Sequence, residues 1–534
     1  MVSQPHYAPV AVVRSRLLMV WMILMVGIVG LIGNLVRLQV FEADKLQAMA
    51  QAQHGISLKP FIPRRPVVDR MGNTLAVDRQ EYILYVHPIG FQDPSQEHKL
   101  HIAEQLAPIL NQEPSAILDT LNLRDSGIKL STGLTEDEAK RIRALQIDGL
   151  DLSPYQARFY PYGSLFAHVV GYTNLDREGQ VGVEHSQSDL LSYHSPTLNL
   201  NRTAYGALMP GGVPEDFKYH EHLNLRLTVD NRLQRRIRTL LQEEISRLTA
   251  KRGLAIVMEV NTGAIRAMVT EPTYDPNGIH TTDDIPRMVN SVVSHLYEPG
   301  STFKPINVAI ALESGRLNPN DIIHDSGQIA IGTWSIGNHD FNTEGARGDL
   351  TVSDVMKYSS NIGMIRIMQK LDRDQYYDWL GTLGLGQLTG IDLPFETPAL
   401  VKSRQQFTES AVESATTAFG QGFSLTPLQL LQMQAAIGNG GTMATPHVVD
   451  GLFDHDGQRY WTPERAAHQP VFSEDTTEIV LDMMETVVTE GTGKAAQVPG
   501  YRIAGKTGTA QKVGDRGVYE EDDKKLHEKW NQPR

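Results

Sequence analysis

The chain contains no cysteine, so thiol nucleophiles, disulfides, iron–sulfur clusters and zinc–thiolate sites are excluded in one step. Its histidines are scattered and no His-Glu-x-x-His occurs, which leaves an activated hydroxyl as the chemistry to look for. A serine and a lysine at i and i+3 share a helix face, and the amine can then take the serine proton without a histidine. Ser-x-x-Lys occurs twice, at Ser126 with Lys129 and at Ser301 with Lys304, a number that chance alone would give. Context separates the two. Ser126 sits in the turn-like run Arg-Asp-Ser-Gly-Ile-Lys. Ser301 follows Glu298-Pro299-Gly300 and opens an apolar run, Ile306-Asn-Val-Ala-Ile-Ala-Leu312, so it stands at a helix start. There the positive end of the helix dipole faces a developing oxyanion. Two further patterns each occur once: Ser359-Ser360-Asn361, 58 residues after Ser301, and Lys506-Thr507-Gly508, 147 residues after Ser359.

One competing pattern overlaps the last of these. Gly500-Tyr-Arg-Ile-Ala-Gly505-Lys506-Thr507 matches the phosphate-loop pattern letter for letter and would make Lys506 a nucleotide ligand. A phosphate loop opens a helix and needs a further strand to supply a magnesium-binding carboxylate. Here Gly508-Thr509-Ala510 is a poor helix start, and 27 residues follow Thr507.

The elements that must position these residues begin at the N-terminus. Residues 17–36 form an uncharged apolar run of 20 residues, interrupted only by Asn34 and three glycines. Such a run spans about 30 Å as a helix, the thickness of a bilayer core. It is longer than a signal-peptide core and is followed by Arg37, so it reads as an uncleaved anchor. Arg14 and Arg16 before it and Arg37 and Lys45 after it leave the positive-inside count tied. Residues 37–60 read as a helical, partly polar stalk, 61–100 as short strands and turns, and 101–147 as helix. Residues 150–222 read as an irregular, loop-heavy region.

A restart follows at Leu225, with a strand, a long amphipathic helix over 231–249, and two strands joined at Asn261-Thr262-Gly263, which suits a tight hairpin. The pattern is then mostly helical to about 490. The formal charge of −13 argues against a nucleic-acid binder or a general anionic-membrane binder.

The ordered trio Ser301-x-x-Lys304, Ser359-x-Asn361 and Lys506-Thr507-Gly508 resembles the signature of penicillin-binding proteins and β-lactamases. Nearly the whole chain is similar to class B penicillin-binding proteins, the membrane-anchored peptidoglycan D,D-transpeptidases. Arg64-Arg65-Pro-Val-Val-Asp69-Arg70-Met-Gly72-Asn-Thr-Leu75-Ala76 resembles a family motif, with Arg65 where glycine is usual. Arg158, Tyr160, Pro161, Gly171, Gly182 and Glu184 match its non-catalytic pedestal. Tyr274 to Asn277, Phe419-Gly-Gln-Gly422 and Thr426-Pro427 match its catalytic domain. The run Tyr501 to Ala510 with Lys512-Val-Gly is closer to the septal, division-specific branch than to the elongation branch.

The resemblance implies a multidomain α+β chain: a cytoplasmic tail (1–16), a transmembrane helix (17–36) and an irregular α+β pedestal, the dimerisation domain (37–224). A transpeptidase domain (225–534), an antiparallel sheet flanked by helices, completes it. It implies that Ser301 attacks the D-Ala-D-Ala carbonyl of a stem peptide, with Lys304 as base and Ser359 relaying the proton to the leaving D-alanine. Asn361 would hold the substrate amide. Lys506, Thr507, Gly508 and Thr509 would bind substrate, and the N–H groups of Ser301 and Thr509 would form the oxyanion hole. β-Lactams would acylate Ser301, and no cofactor or metal is implied. Expected partners are a polytopic lipid-II glycosyltransferase and division proteins, at the inner membrane with the catalytic body in the periplasm.

The family continues past Lys-Thr-Gly with two strands and a helix, whereas here eleven of the 20 residues from Asp515 onward are charged. That tail reads as a solvated end, which would leave the strand carrying Lys506 at a sheet edge. A truncated or frameshifted gene, an incomplete sequence and a paralogue that has given up catalysis would each account for it. The alternative function is therefore a catalytically impaired division or cell-wall scaffold.

Overall fold

The computed structural model describes residues 10–43, 45–46, 55–58, 63–93, 95–174, 176–192, 198–201, 223–278 and 285–510. The chain forms two units, one from residues 1–62 and 194–221 and the other from 63–193 and 222–534. In the first, the apolar run lies within the helix Val10–Val36, which passes into a π-helical turn, Arg37–Phe41. Residues 16–41 are long and apolar enough to cross a membrane, with a mean hydropathy of 2.3 and none of the span buried. The stalk is not helical throughout, because Gly55–Leu58 is a strand paired antiparallel with Leu198–Asn201. A ladder between these two short segments satisfies backbone groups that no helical pattern there could hold together.

The second unit is built on a seven-stranded sheet. Its longest strand, Thr74–Val86, pairs along ten positions with Leu150–Phe159, inside the region read from sequence as irregular. The reason is the partner: Leu150–Phe159 has little alternation of its own and takes its conformation from the ladder. Ile128–Leu134 adds a strand where the periodicity suggested helix, between the helices Pro114–Leu121 and Glu136–Ala144. The sheet continues through Val67–Val68, in parallel pairing, to Asn224–Leu227 and then Val449–Phe453. Residues on both sides of 225 thus share one sheet and one apolar core, in which Val67, Leu75 and Leu225 pack with Ile265 and Val448.

The helix Asn231–Leu248 is capped by Asp230, which accepts from the N–H groups of Arg232 and Leu233. Gly253–Met258 and Ile265–Glu271 form the expected hairpin. A second core surrounds the helix Lys304–Glu313, whose Ile306, Val308 and Ile310 are completely buried against Val355, Ile362, Val480 and Val487. Wrapping this one helix on all sides fixes the position of its first turn, and that turn carries the serine. The charged tail from Asp515 onward, and with it the expectation that the family's last strands and helix are missing, lies outside the described residues.

Candidate active site

Gly300–Phe303 form one 3₁₀ turn that runs directly into the helix Lys304–Glu313, with Pro305 in its first turn. Ser301 and Lys304 therefore lie one turn apart at a helix start, as their spacing predicts. The turn is held from outside, since Gly300 donates to the Gly420 carbonyl at 2.9 Å. Gly420 has φ of +80°, and a Cβ there would come within 2.0 Å of the Gly300 oxygen, so only glycine fits this crossing. Glu298 closes the same loop by accepting from the Gly422 N–H at 3.0 Å, and burial raises its pKa. These contacts explain why Glu-Pro-Gly-Ser and Phe-Gly-Gln-Gly, more than a hundred residues apart, both read as motifs.

Ser359 ends the turn after the helix Val352–Lys357 with a left-handed φ of +57°. That conformation is costly for a non-glycine residue and is characteristic of functional sites. It turns both oxygens of Ser359 inward to Lys304, whose Nζ donates to the Ser359 carbonyl at 2.6 Å and lies 3.2 Å from its Oγ. The third partner of Nζ is Asn361 Oδ1 at 2.8 Å. Asn361 begins the helix Asn361–Met368, capped by Ser360. Lys506 completes the group by donating to Ser359 Oγ at 2.9 Å. One hydroxyl thus stands between two amines.

Both lysines are held below the usual lysine range. Lys304 has no exposed surface, and burial lowers its pKa well below normal; Lys506 adds to the effect, while Asp325 and Asp340 oppose it. Burial brings Lys506 to about 8. One amine therefore loses its proton readily, as a base must, while the other keeps its charge below about that pH.

A cavity of about 1170 Å³ opens over these groups and is lined by Ser301, Ser359, Asn361, Thr507, Gly508 and Thr509 among others. All eight residues singled out from the sequence fall in this region, six on the wall and the two lysines behind it. Lys506-Thr507-Gly508 does not sit in a strand, contrary to the expectation. Residues 501–510 carry no regular secondary structure and pair in no ladder, and Gly505 donates to the Met484 carbonyl at 3.2 Å. The segment is held by packing instead: a Cβ on Gly508 would meet Thr302 Cγ2 at 2.6 Å, and the Thr507 and Thr492 hydroxyls share a hydrogen bond at 2.8 Å.

Neither competing pattern is assembled. Ser126 shares a hydrogen bond with His87 Nδ1 at 2.7 Å while Lys129 lies on the strand Ile128–Leu134, so no helix aligns them. Among the described residues, no strand leads into Gly505 and no helix follows it. Sequence reasoning did not single out Thr492, Asp325 or Asn338. They carry no spacing signature, and only the neighbouring motifs could have drawn attention to them.

The pedestal motifs converge as well. Glu184 accepts from Arg64 Nε at 3.1 Å and Arg158 Nε at 2.6 Å. Asp78 accepts from Arg158 Nη1 at 3.0 Å and Arg177 Nη2 at 2.6 Å. Arg65, in the place of the usual glycine, reaches the Leu190 carbonyl with its guanidinium. Tyr160 and Asn277 exchange hydrogen bonds at 2.9 and 3.0 Å, and Tyr274 donates to the Ala167 carbonyl at 2.9 Å, which ties the pedestal to the hairpin region.

Comparison with known proteins agrees with this arrangement. Residues 253–530 match the penicillin-binding protein transpeptidase domain and residues 62–196 the penicillin-binding protein dimerisation domain. The chain is 38% identical to a peptidoglycan D,D-transpeptidase FtsI homolog of Mesostigma viride, over 95% of this chain and 87% of that protein. It is 29% identical to the peptidoglycan D,D-transpeptidase FtsI of Escherichia coli K12, over 93% and 81% of the two chains. Among solved structures, penicillin-binding protein 3 of Mycobacterium tuberculosis in complex with aztreonam superposes with a TM-score of 0.62 at 26% identity. That match covers 86% of this chain and 84% of the other. With the three motifs assembled at one cavity and both domains matched, the chain belongs to the FtsI-like class B penicillin-binding proteins.

Proposed function

We propose that this protein is a peptidoglycan D,D-transpeptidase that cross-links stem peptides during septal wall synthesis. The observation that carries the reading is Ser359 Oγ between the two amines, 3.2 Å from Lys304 Nζ and 2.9 Å from Lys506 Nζ, at the wall of the Ser301 cavity. Ser301 Oγ attacks the carbonyl of the penultimate D-alanine, and its proton passes to neutral Lys304. The carbonyl oxygen becomes an oxyanion between the N–H groups of Ser301 and Thr509. As the intermediate collapses, the bond to the terminal D-alanine breaks, and its nitrogen takes the proton from Lys304 through Ser359. An acceptor amine from a second stem peptide then attacks the acyl-enzyme, forms the cross-link and restores the Ser301 hydroxyl.

Asn361 holds the substrate amide, and Lys506, still charged, binds the terminal carboxylate with Thr507, Gly508 and Thr509. β-Lactams, which place a carboxylate and a strained amide in the same relation, acylate Ser301. In this reading 1–16 is the cytoplasmic tail, 17–36 the membrane span, 37–224 the pedestal and 225–534 the transpeptidase domain. The body stands on the periplasmic side of the inner membrane. The span and pedestal offer themselves to a polytopic lipid-II glycosyltransferase and to division proteins.

Incubation of the detergent-solubilised full chain with a fluorescent penicillin, followed by peptide mapping, tests the reading. A stoichiometric adduct on the Ser301 peptide, lost in Ser301→Ala, is expected. A folded chain without an adduct would defeat it.

A further inference from the structure

Behind the Ser359–Lys304 contact lies a buried polar layer whose centre, Asp325, belongs to none of the three motifs. Asp325 ends the strand Ile322–Asp325 and has no exposed surface. Its Oδ1 accepts from the Gly327 N–H at 2.7 Å and from Asn338 Nδ2 at 3.0 Å. Its Oδ2 accepts from Asn338 Nδ2 at 2.8 Å and from the Ser360 hydroxyl at 2.7 Å. All these donors are neutral, and among the described residues no ion pair reaches this carboxylate.

The two residues that Asp325 grips hold the Ser-x-Asn turn. Asn338 Oδ1 accepts from the backbone N–H of Asn361 at 2.8 Å and of Ile362 at 3.2 Å. Ser360 Oγ accepts from the Gly363 N–H at 2.8 Å, which caps the helix behind Asn361. Asn361 Nδ2 donates to the Gly337 carbonyl at 3.1 Å, leaving its Oδ1 turned to Lys304. The hydrogen-bond polarity of the layer is thereby fixed. Because Asn338 must present its oxygen to two backbone N–H groups, its amide nitrogen faces Asp325, and residue 325 must offer acceptors only.

We propose that Asp325 is a positioning residue for acylation: through Asn338 and Ser360 its carboxylate sets the place of Asn361 and the surroundings of the Lys304 amine. This role rests on the transpeptidase reading above. It is electrostatic as well as geometric, because the charged groups acting on Lys304 are Lys506 on one side and Asp325 and Asp340 on the other. Removing the Asp325 charge takes away one of the two anions that favour the protonated amine, so Lys304 becomes neutral at a lower pH.

The test measures the second-order rate of fluorescent-penicillin acylation as a function of pH, with circular dichroism as the check on folding, for the full chain in detergent. D325N sets an amide nitrogen against Asn338 Nδ2. It is expected to acylate roughly 10- to 100-fold more slowly, with the acid limb of the profile moved to lower pH. The double variant D325N/N338D reverses donor and acceptor between the two side chains. It keeps acceptors for the N–H groups of Asn361 and Ile362, returns one carboxylate to the layer, and is expected to recover most of the lost rate. Two outcomes overturn the role: D325N acylating at the wild-type rate with an unmoved acid limb, or a folded double variant as slow as D325N. Wild-type chain that takes no penicillin defeats the transpeptidase reading and this role together, whereas normal wild-type acylation with an unaffected D325N removes the Asp325 role alone.

Discussion

The pedestal and the catalytic cavity each bury a cluster of charged side chains, and they treat charge in opposite ways. In the pedestal, Arg64, Arg158 and Arg177 meet Asp78 and Glu184 in direct contacts of 2.6–3.1 Å. Burial works against the charge of Arg158, but Glu184 and Asp78 outweigh it and raise its pKa. Every ion there has a partner, and the guanidinium forks that could not lose a proton in any case are locked in place. At the cavity, Lys304 and Lys506 touch only neutral oxygens, and the nearest carboxylate of the layer, Asp325, is occupied by neutral donors. A buried cation without a direct counter-ion is costly in its charged form, so its proton becomes easy to move. Pairing makes charge structural, and withholding the partner makes it reactive.

The comparison predicts opposite signs for two substitutions. Lys304→Met should abolish penicillin acylation, yet leave the thermal midpoint at or above that of wild type. A lysine whose folded pKa lies below its unfolded value penalises folding at low pH. That penalty shrinks as pH rises from the folded toward the unfolded value, because the unfolded chain binds more protons across that window. Lys304→Met should therefore also flatten the rise in stability toward alkaline pH, measured by thermal melts over a pH series. A midpoint well below wild type would show that Lys304 is as structural as the arginines.

Glu184→Ala, by contrast, leaves the buried Arg64 guanidinium without a carboxylate and takes one of two from Arg158, and should cost about 3–5 kcal/mol. The loss is read as a lowered thermal midpoint, with the pH profile of acylation in the remaining folded protein unchanged. A shift in that profile would mean that the two clusters are coupled. The smallest effect concerns Lys506. Since burial brings it to about 8, acylation by penicillins carrying a free carboxylate should decline above roughly that pH as the ammonium is lost. An analogue with the carboxylate esterified should react slowly at all pH values and lack this alkaline limb.

Some of this architecture was readable from local patterns and some was not. The anchor helix, the helix Asn231–Leu248 and the hairpin of Gly253–Met258 with Ile265–Glu271 carry their periodicity or turn residues within a dozen or so positions. Leu150–Phe159 was missed because its strand conformation belongs to its pairing with Thr74–Val86. Lys506-Thr507-Gly508 was expected in a strand, but its backbone is held by Thr302, Thr492 and Met484, contacts that no alternation pattern encodes. Asp325 and Asn338 look like ordinary turn residues, since Asp and Asn are common wherever the chain bends.

The amino-acid sequence by itself determined which groups could react: a serine and a lysine one helical turn apart, a second hydroxyl with an amide, and a second lysine. These are properties of residue type and short spacing, and short spacing is fixed by backbone geometry. Only the tertiary structure decided that the three segments meet and that the Ser359 hydroxyl lies between two amines. It alone buries Lys304 completely and keeps Asp325 one layer away from it. The reason is that proton affinity depends on desolvation and neighbouring charge, which are set by packing between distant segments rather than by the residues on either side in the chain.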